Sequence, residues 1–141
     1  MSQEAIFLPV LALAALTILV LMFAAGKRFA AAGAGHVTPN DFALGESAAV
    51  PGHVALGNRN YMNLLELPVL FYVVCLALYV TGQVDGLVLN LAWAYVALRV
   101  IHSLVHLTYN NVIHRLAVFA ISNFVLAALW VLFGMRVLAA T

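Results

Sequence analysis

Charge is what this sequence has least of. Six Lys and Arg plus five Asp and Glu make up 8% of the 141 residues, against 66% hydrophobic ones; a soluble domain carries roughly 25% charged residues. So few charges cannot cover a surface that faces water, which excludes an ordinary soluble globule and leaves lipid as the main solvent. A formal net charge of +1 gives no reason to expect a nucleic-acid partner. Cysteine is nearly absent too. Cys75 is the only one and lies in an apolar run, so no internal disulfide is possible and the residue reads as a small buried hydrophobe.

What the chain has in abundance is long apolar runs. A spanning helix needs about 20 mostly apolar residues, and four segments qualify: about 5–25, 58–81, 87–109 and 113–138. The first is too long for the core of a secretory signal and has Lys27 and Arg28 after it rather than before it, so a retained helix is expected. Residues 26–57, with Pro39, Pro51, several glycines, Asp41 and Glu46, read as a long aqueous loop. Residues 81–86 and 109–111 read as short turns. The expectation is one all-α domain, a four-helix bundle integral to the membrane. Lys27, Arg28, Arg59 and Arg115 flank the first and third loops. The positive-inside rule therefore places those loops in the cytoplasm and both chain ends on the opposite side.

Polar residues inside the spans carry the functional signal, because a charge at a helix centre costs roughly 2.5–3.5 kcal/mol on insertion scales. In the second span Arg59, Asn63 and Glu66 share one helical face by their i, i+4, i+7 spacing. In the third, Arg99, His102, His106 and Tyr109 form another stripe. Counting from the cytoplasmic side at 1.5 Å per residue, Glu66 lies about 12 Å deep and Arg99 about 15 Å. Their matched depth predicts an ion pair, whether as a site element or as a packing pair that fixes helix register. Above it, Arg59, Arg115, His102 and His106 make a cationic mouth suited to an anionic, water-soluble ligand beside a lipid-borne one. Blander readings stand next to this one. Arg59 and Arg115 suit interfacial anchors, and the tyrosines and tryptophans suit core or interfacial aromatics. His102 and His106 with Glu66 could instead form a metal- or proton-handling group, but no metal is assigned. Pro68 predicts a kink just after Glu66.

The combination Arg59-x-x-x-Asn63-x-x-Glu66 with Pro68, Arg99-x-x-His102 and Arg115 resembles the membrane-associated proteins in eicosanoid and glutathione metabolism, the MAPEG family. The run Asn63-Leu-x-Glu-x-Pro-Val-Leu-Phe-Tyr72 is most similar to a bacterial branch, which implies a bacterial inner membrane. The resemblance implies a homotrimer with glutathione bound between subunits, as co-substrate of a transferase or peroxidase acting on a lipophilic electrophile or lipid hydroperoxide. It carries over Arg59, Asn63, Glu66, Arg99, His102 and His106 as glutathione-binding positions and Arg115 as the catalytic residue that favours the thiolate. The same family includes a non-catalytic lipid-presenting protein, the alternative reading. Three positions depart from the prostaglandin E synthase branch: His106 and Phe119 stand where tyrosines are expected, and Leu116 where a hydroxyl residue is.

Overall fold

The computed structural model of the chain describes residues 2–140. Its helices are α1 (Phe7–Gly33), α2 (Gly52–Leu65), α3 (Pro68–Val80), α4 (Gly86–Leu107) and α5 (Val112–Ala140). With the short 3-10 turn Gln3–Ile6 ahead of α1, and with α2 and α3 taken together, they form four segments long and apolar enough to cross a membrane. The bundle is all-α, and no strand occurs among the described residues. Its apolar core runs along Ile6, Leu13 and Val20, one residue every second turn, against Phe71, Val74 and Leu78 of α3 and Val88, Ala92 and Tyr95 of α4. Large apolar side chains such as Leu11, Leu19, Phe124 and Leu138 are exposed on the outside, the arrangement a lipid solvent favours.

Two boundaries differ from the sequence reading. The first helix does not stop at residue 25 but continues through Lys27 and Arg28 to Gly33, because Phe29-Ala30-Ala31-Ala32 has strong helix propensity and Gly26 alone costs only about 1 kcal/mol. It ends where Gly35 takes a positive φ of 74° and the His36 N–H closes onto the Ala31 carbonyl at 2.9 Å, a glycine-dependent stop. Helix α2 likewise begins at Gly52, six residues before the expected start at 58. The connection is therefore shorter than 26–57, and it is folded. Asp41 accepts hydrogen bonds from the Thr38 N–H, the Thr38 hydroxyl and the Ser47 hydroxyl at 2.8, 2.8 and 2.7 Å. These bonds, Ser47's foremost, hold the Asp41 carboxyl below the usual carboxylate range. Beneath them Val37, Val50 and Val54 form a small apolar cluster with Ala31.

The second span is broken as Pro68 requires. Proline has no N–H to continue the ladder, α2 ends at Leu65, and Glu66 sits between the helices with φ −85° and ψ −104°. At the tightest crossing, a Cβ on Gly57 would come within 3.0 Å of the Ala24 Cα. The end of the bundle away from these features is tied by side chains. Gln3 both donates to the Val84 carbonyl and accepts from the Val84 N–H, at 3.0 and 2.9 Å. Arg136 donates to the Gln83 carbonyl at 2.7 Å and to the Asp85 carboxylate at 2.5 Å, and Asp85 caps α4 through the Val88 N–H at 2.9 Å.

Candidate functional site

The inward stripe of α4 changes character along its length. From Val88 to Val96 the buried residues are apolar or aromatic; from Arg99 onward all but Val105 are polar, namely Arg99, His102, Ser103 and His106. Arg99 has no solvent exposure. Its Nη2 donates to Asn63 twice, to the backbone carbonyl at 2.9 Å and to Oδ1 at 2.5 Å, and its guanidinium lies 5.7 Å from the Phe119 ring centre. Among the described residues Nε and Nη1 of Arg99 have no hydrogen-bond partner. One helical turn on, the His102 and His106 rings stand edge to face at 5.8 Å. The His102 Nδ1 is 3.3 Å from the Arg115 carbonyl, while its Nε2 and both nitrogens of His106 have no hydrogen-bond partner among the described residues.

These groups border a cavity of about 270 Å3 lined by Asn63, His102, His106, Val112, Arg115, Leu116 and Phe119. Arg99 stands behind it, in contact with two of its walls, Asn63 and Phe119. Arg115 is half-buried and donates from Nη1 to the Asn110 Oδ1 at 2.8 Å. Asn110 can hold that position because it turns the chain between α4 and α5 with a φ of 46°. Chemically this is a pocket with polar groups, Asn63, His102, His106 and the Arg115 guanidinium, beside an apolar wall of Val112, Leu116 and Phe119. Buried polar groups are normally satisfied, so the unpartnered ring nitrogens of His102 and His106, which include acceptors as well as a donor, mark a place prepared for a polar ligand.

The MAPEG family model matches residues 6–135, nearly the whole chain. The chain belongs to the MAPEG family. Comparison with curated proteins and with solved structures finds no match. Family membership and the four apolar spanning helices together make this an integral membrane protein.

Of the MAPEG positions carried over from sequence, Asn63, His102, His106 and Arg115 line one cavity and Arg99 supports it from behind. Arg59 lies elsewhere: it is exposed and borders a separate cavity of about 630 Å3 with Glu46, Ser47 and Asn110. Glu66 departs furthest from expectation. It is exposed, and the ion pairs among the described residues are Arg28–Glu46 and Arg136–Asp85, so the expected Glu66–Arg99 pair does not form. The helix break is the reason, since α2 ends one residue before Glu66 and the i, i+4, i+7 face stops there. Nor does Glu66 join the two histidines: among the described residues no three His, Cys, Asp or Glu side chains converge on a point.

Sequence reasoning missed two members. Asn60, fully buried, accepts from the Ser103 hydroxyl at 3.3 Å and leaves its Nδ2 unpartnered. Asn110 holds Arg115. The i, i+5 spacing of Asn110 and Arg115 across a turn was the available signal for the second; for Asn60, one position off the Arg59 stripe, the sequence carried none.

Proposed function

We propose that this MAPEG protein is a membrane-embedded, glutathione-dependent transferase or peroxidase that acts on a lipophilic electrophile or lipid hydroperoxide. One observation carries the reading: a polar cavity, with ring nitrogens of His102 and His106 that have no hydrogen-bond partner among the described residues and the Arg115 guanidinium at its edge, adjoins an apolar wall. These donors and acceptors suit a tripeptide, whose peptide groups both donate and accept and whose carboxylates suit guanidinium groups. Glutathione, when bound, supplies a thiol. Arg59 and Arg99 offer counter-charges to its carboxylates, Asn63, His102 and His106 hydrogen-bond its peptide groups, and Glu66 accepts from its ammonium. Arg115, oriented by Asn110, stabilises the thiolate, which is the nucleophile. In conjugation a sulfur–carbon bond forms and the leaving group departs with its electron pair.

A cavity of about 270 Å3 lies just below the usual range for ligand pockets, roughly 300–1,000 Å3. Arg59 and Glu66 lie outside it, and at lipid level the Asn123 Oδ1 and Trp130 Nε1 have no partner within the subunit. Unsatisfied polar groups in a membrane favour helix–helix association. All three observations support an oligomer in which a neighbouring subunit completes the site, and the resemblance to the MAPEG family makes that oligomer a homotrimer. Native mass spectrometry in mild detergent should show that trimer; a stable monomer would remove this part of the proposal.

Leu116 and Phe119, apolar where related MAPEG enzymes carry hydroxyl groups, favour a second reading: a non-catalytic protein that binds or presents a lipid. Calorimetric titration of glutathione into wild type and Arg115→Ala decides between them, with turnover measured on an aryl electrophile. The enzyme reading expects weaker binding in Arg115→Ala and a loss mainly in kcat, as befits stabilisation of the reacting sulfur. Absence of binding in both proteins would leave the lipid-binding reading standing.

A further inference from the structure

One contact of His102 decides which of its ring nitrogens can act. The residue lies on α4 with 3% of its surface exposed and lines the Asn63 cavity. Its Nδ1 faces the Arg115 backbone carbonyl at 3.3 Å. A carbonyl oxygen only accepts, so the hydrogen of that bond belongs to Nδ1. In a neutral imidazole the other nitrogen then carries a lone pair. That nitrogen is Nε2, which has no hydrogen-bond partner among the described residues.

The ring's neighbours hold it in that pose. His106 stands edge to face with it at 5.8 Å, and Phe119 of α5 lies tilted against it at 5.7 Å. No carboxylate lines the cavity, so a proton leaving a ligand there has only a histidine to go to. Of the two histidines, His102 is the one whose ring is oriented by a third group, the arrangement expected of a base that serves a nucleophile. The orienting carbonyl belongs to Arg115, whose guanidinium borders the same cavity and is tethered to the Asn110 Oδ1 at 2.8 Å. One residue of α5 thus aims a lone pair through its backbone and offers a cation through its side chain. A histidine that merely filled the core would account for the Nδ1 bond but not for a buried, unsatisfied Nε2.

We propose that His102 is the general base of this cavity, taking a thiol proton on Nε2 while the Arg115 guanidinium receives the negative charge of the sulfur. The inference rests on the thiol-dependent reading above and gives His102 a proton-transfer role in place of a peptide contact. The S–H bond breaks, its proton goes to Nε2, and the sulfur keeps the electron pair. A sulfur–carbon bond then forms as the leaving group departs with its own pair, and the imidazolium returns its proton to that group or to water. Base and cation divide the work: one removes the proton, the other stabilises the anion left behind.

The test uses the full-length protein in mild detergent. With 15N-labelled histidine, the ring signals that vanish in His102→Asn belong to His102, and in wild type they should show a protonated Nδ1 and a bare Nε2. Glutathione is then titrated by calorimetry in phosphate and in Tris, whose heats of ionisation differ, with thiolate followed by its ultraviolet absorbance. Wild type should form thiolate without releasing more protons to the buffer than S-methylglutathione does, because the thiol proton stays on Nε2. His102→Asn keeps an amide N–H for the Arg115 carbonyl but has nothing at the place of Nε2, so a purely structural role would survive it. Its kcat on an aryl electrophile should nevertheless fall by about a hundredfold or more, and any thiolate it forms should release its proton to the buffer. A proton found on Nε2 in the free protein, a wild-type kcat in His102→Asn, or one proton released per thiolate in wild type would each overturn the base role while leaving the thiol-dependent reading in place. Failure of glutathione to bind wild type at all would remove that reading and the base role together.

Discussion

A guanidinium sealed inside a membrane-spanning helix has to be satisfied by hydrogen bonds or by an opposite charge, and Arg99 obtains mostly the former, from Asn63. This makes Asn63 the residue on which the buried charge depends within the subunit. Removing one partner of a buried hydrogen-bonded charge costs at least about 1–3 kcal/mol, so Asn63→Leu should destabilise the bundle by that order in detergent unfolding titrations. A double-mutant cycle between Asn63 and Arg99 should show coupling above about 0.5 kcal/mol, whereas one between Glu66 and Arg99 in the monomer should fall below that figure. A large Glu66–Arg99 coupling would contradict the geometry described. The stripe of Arg99, His102 and His106 was legible in the sequence because an unbroken helix repeats faithfully. The partner of Arg99 was not, because assigning it to Glu66 assumed that α2 remained helical one residue longer than it does.

Among the elements, the pairing of α1 with α2 rests on a missing side chain. A methyl group on Gly57 would meet the Ala24 backbone at 3.0 Å, and backbone cannot move aside as a side-chain tip can. Gly57→Ala should therefore push the helices apart and cost about 1–3 kcal/mol, the usual range for overpacking. Gly26→Ala, with no atom within 4 Å of the added methyl, should be neutral or stabilising, by up to about 1 kcal/mol from helix propensity. Thermal unfolding of the two variants side by side checks the contrast. Pro68 announced the break between α2 and α3 in the sequence, since a ring without an N–H cannot hide its effect. The fold of the connection before α2 was not announced: its order comes from contacts such as Arg28–Glu46 and Ser47–Asp41, between residues with no periodic relation. The same contacts explain why the helices on both sides run further than apolar length alone suggests.

For the molecule as a whole, pH should act on stability at the end opposite the Asn63 cavity as well as at Asp41. The Val88 N–H first, then Arg136, hold the Asp85 carboxyl below the usual carboxylate range. A lowered folded pKa means that the contribution is complete above the ordinary range and fades as pH falls through the lowered value. Wild type should therefore keep this contribution at neutral pH and lose it as pH falls into and below the ordinary carboxylate range, and Asp85→Asn should lose less. With half of the Asp85 side chain exposed, the difference should stay below about 1 kcal/mol after solvent screening. Stability of both proteins measured across that pH range decides it; parallel curves would show that the ion pair is silent.

The Arg136 fork has a further consequence for biosynthesis. Every residue lining the Asn63 cavity falls between Asn63 and Phe119, and proteins emerge from the ribosome N-terminus first. The pocket's parts are thus all delivered before Arg136, whose partners Gln83 and Asp85 have by then waited some fifty residues for it. A chain interrupted after Phe119 carries every lining residue of the cavity on a bundle whose far end is unfastened. The fork thus closes only after every lining residue of the Asn63 cavity has been delivered.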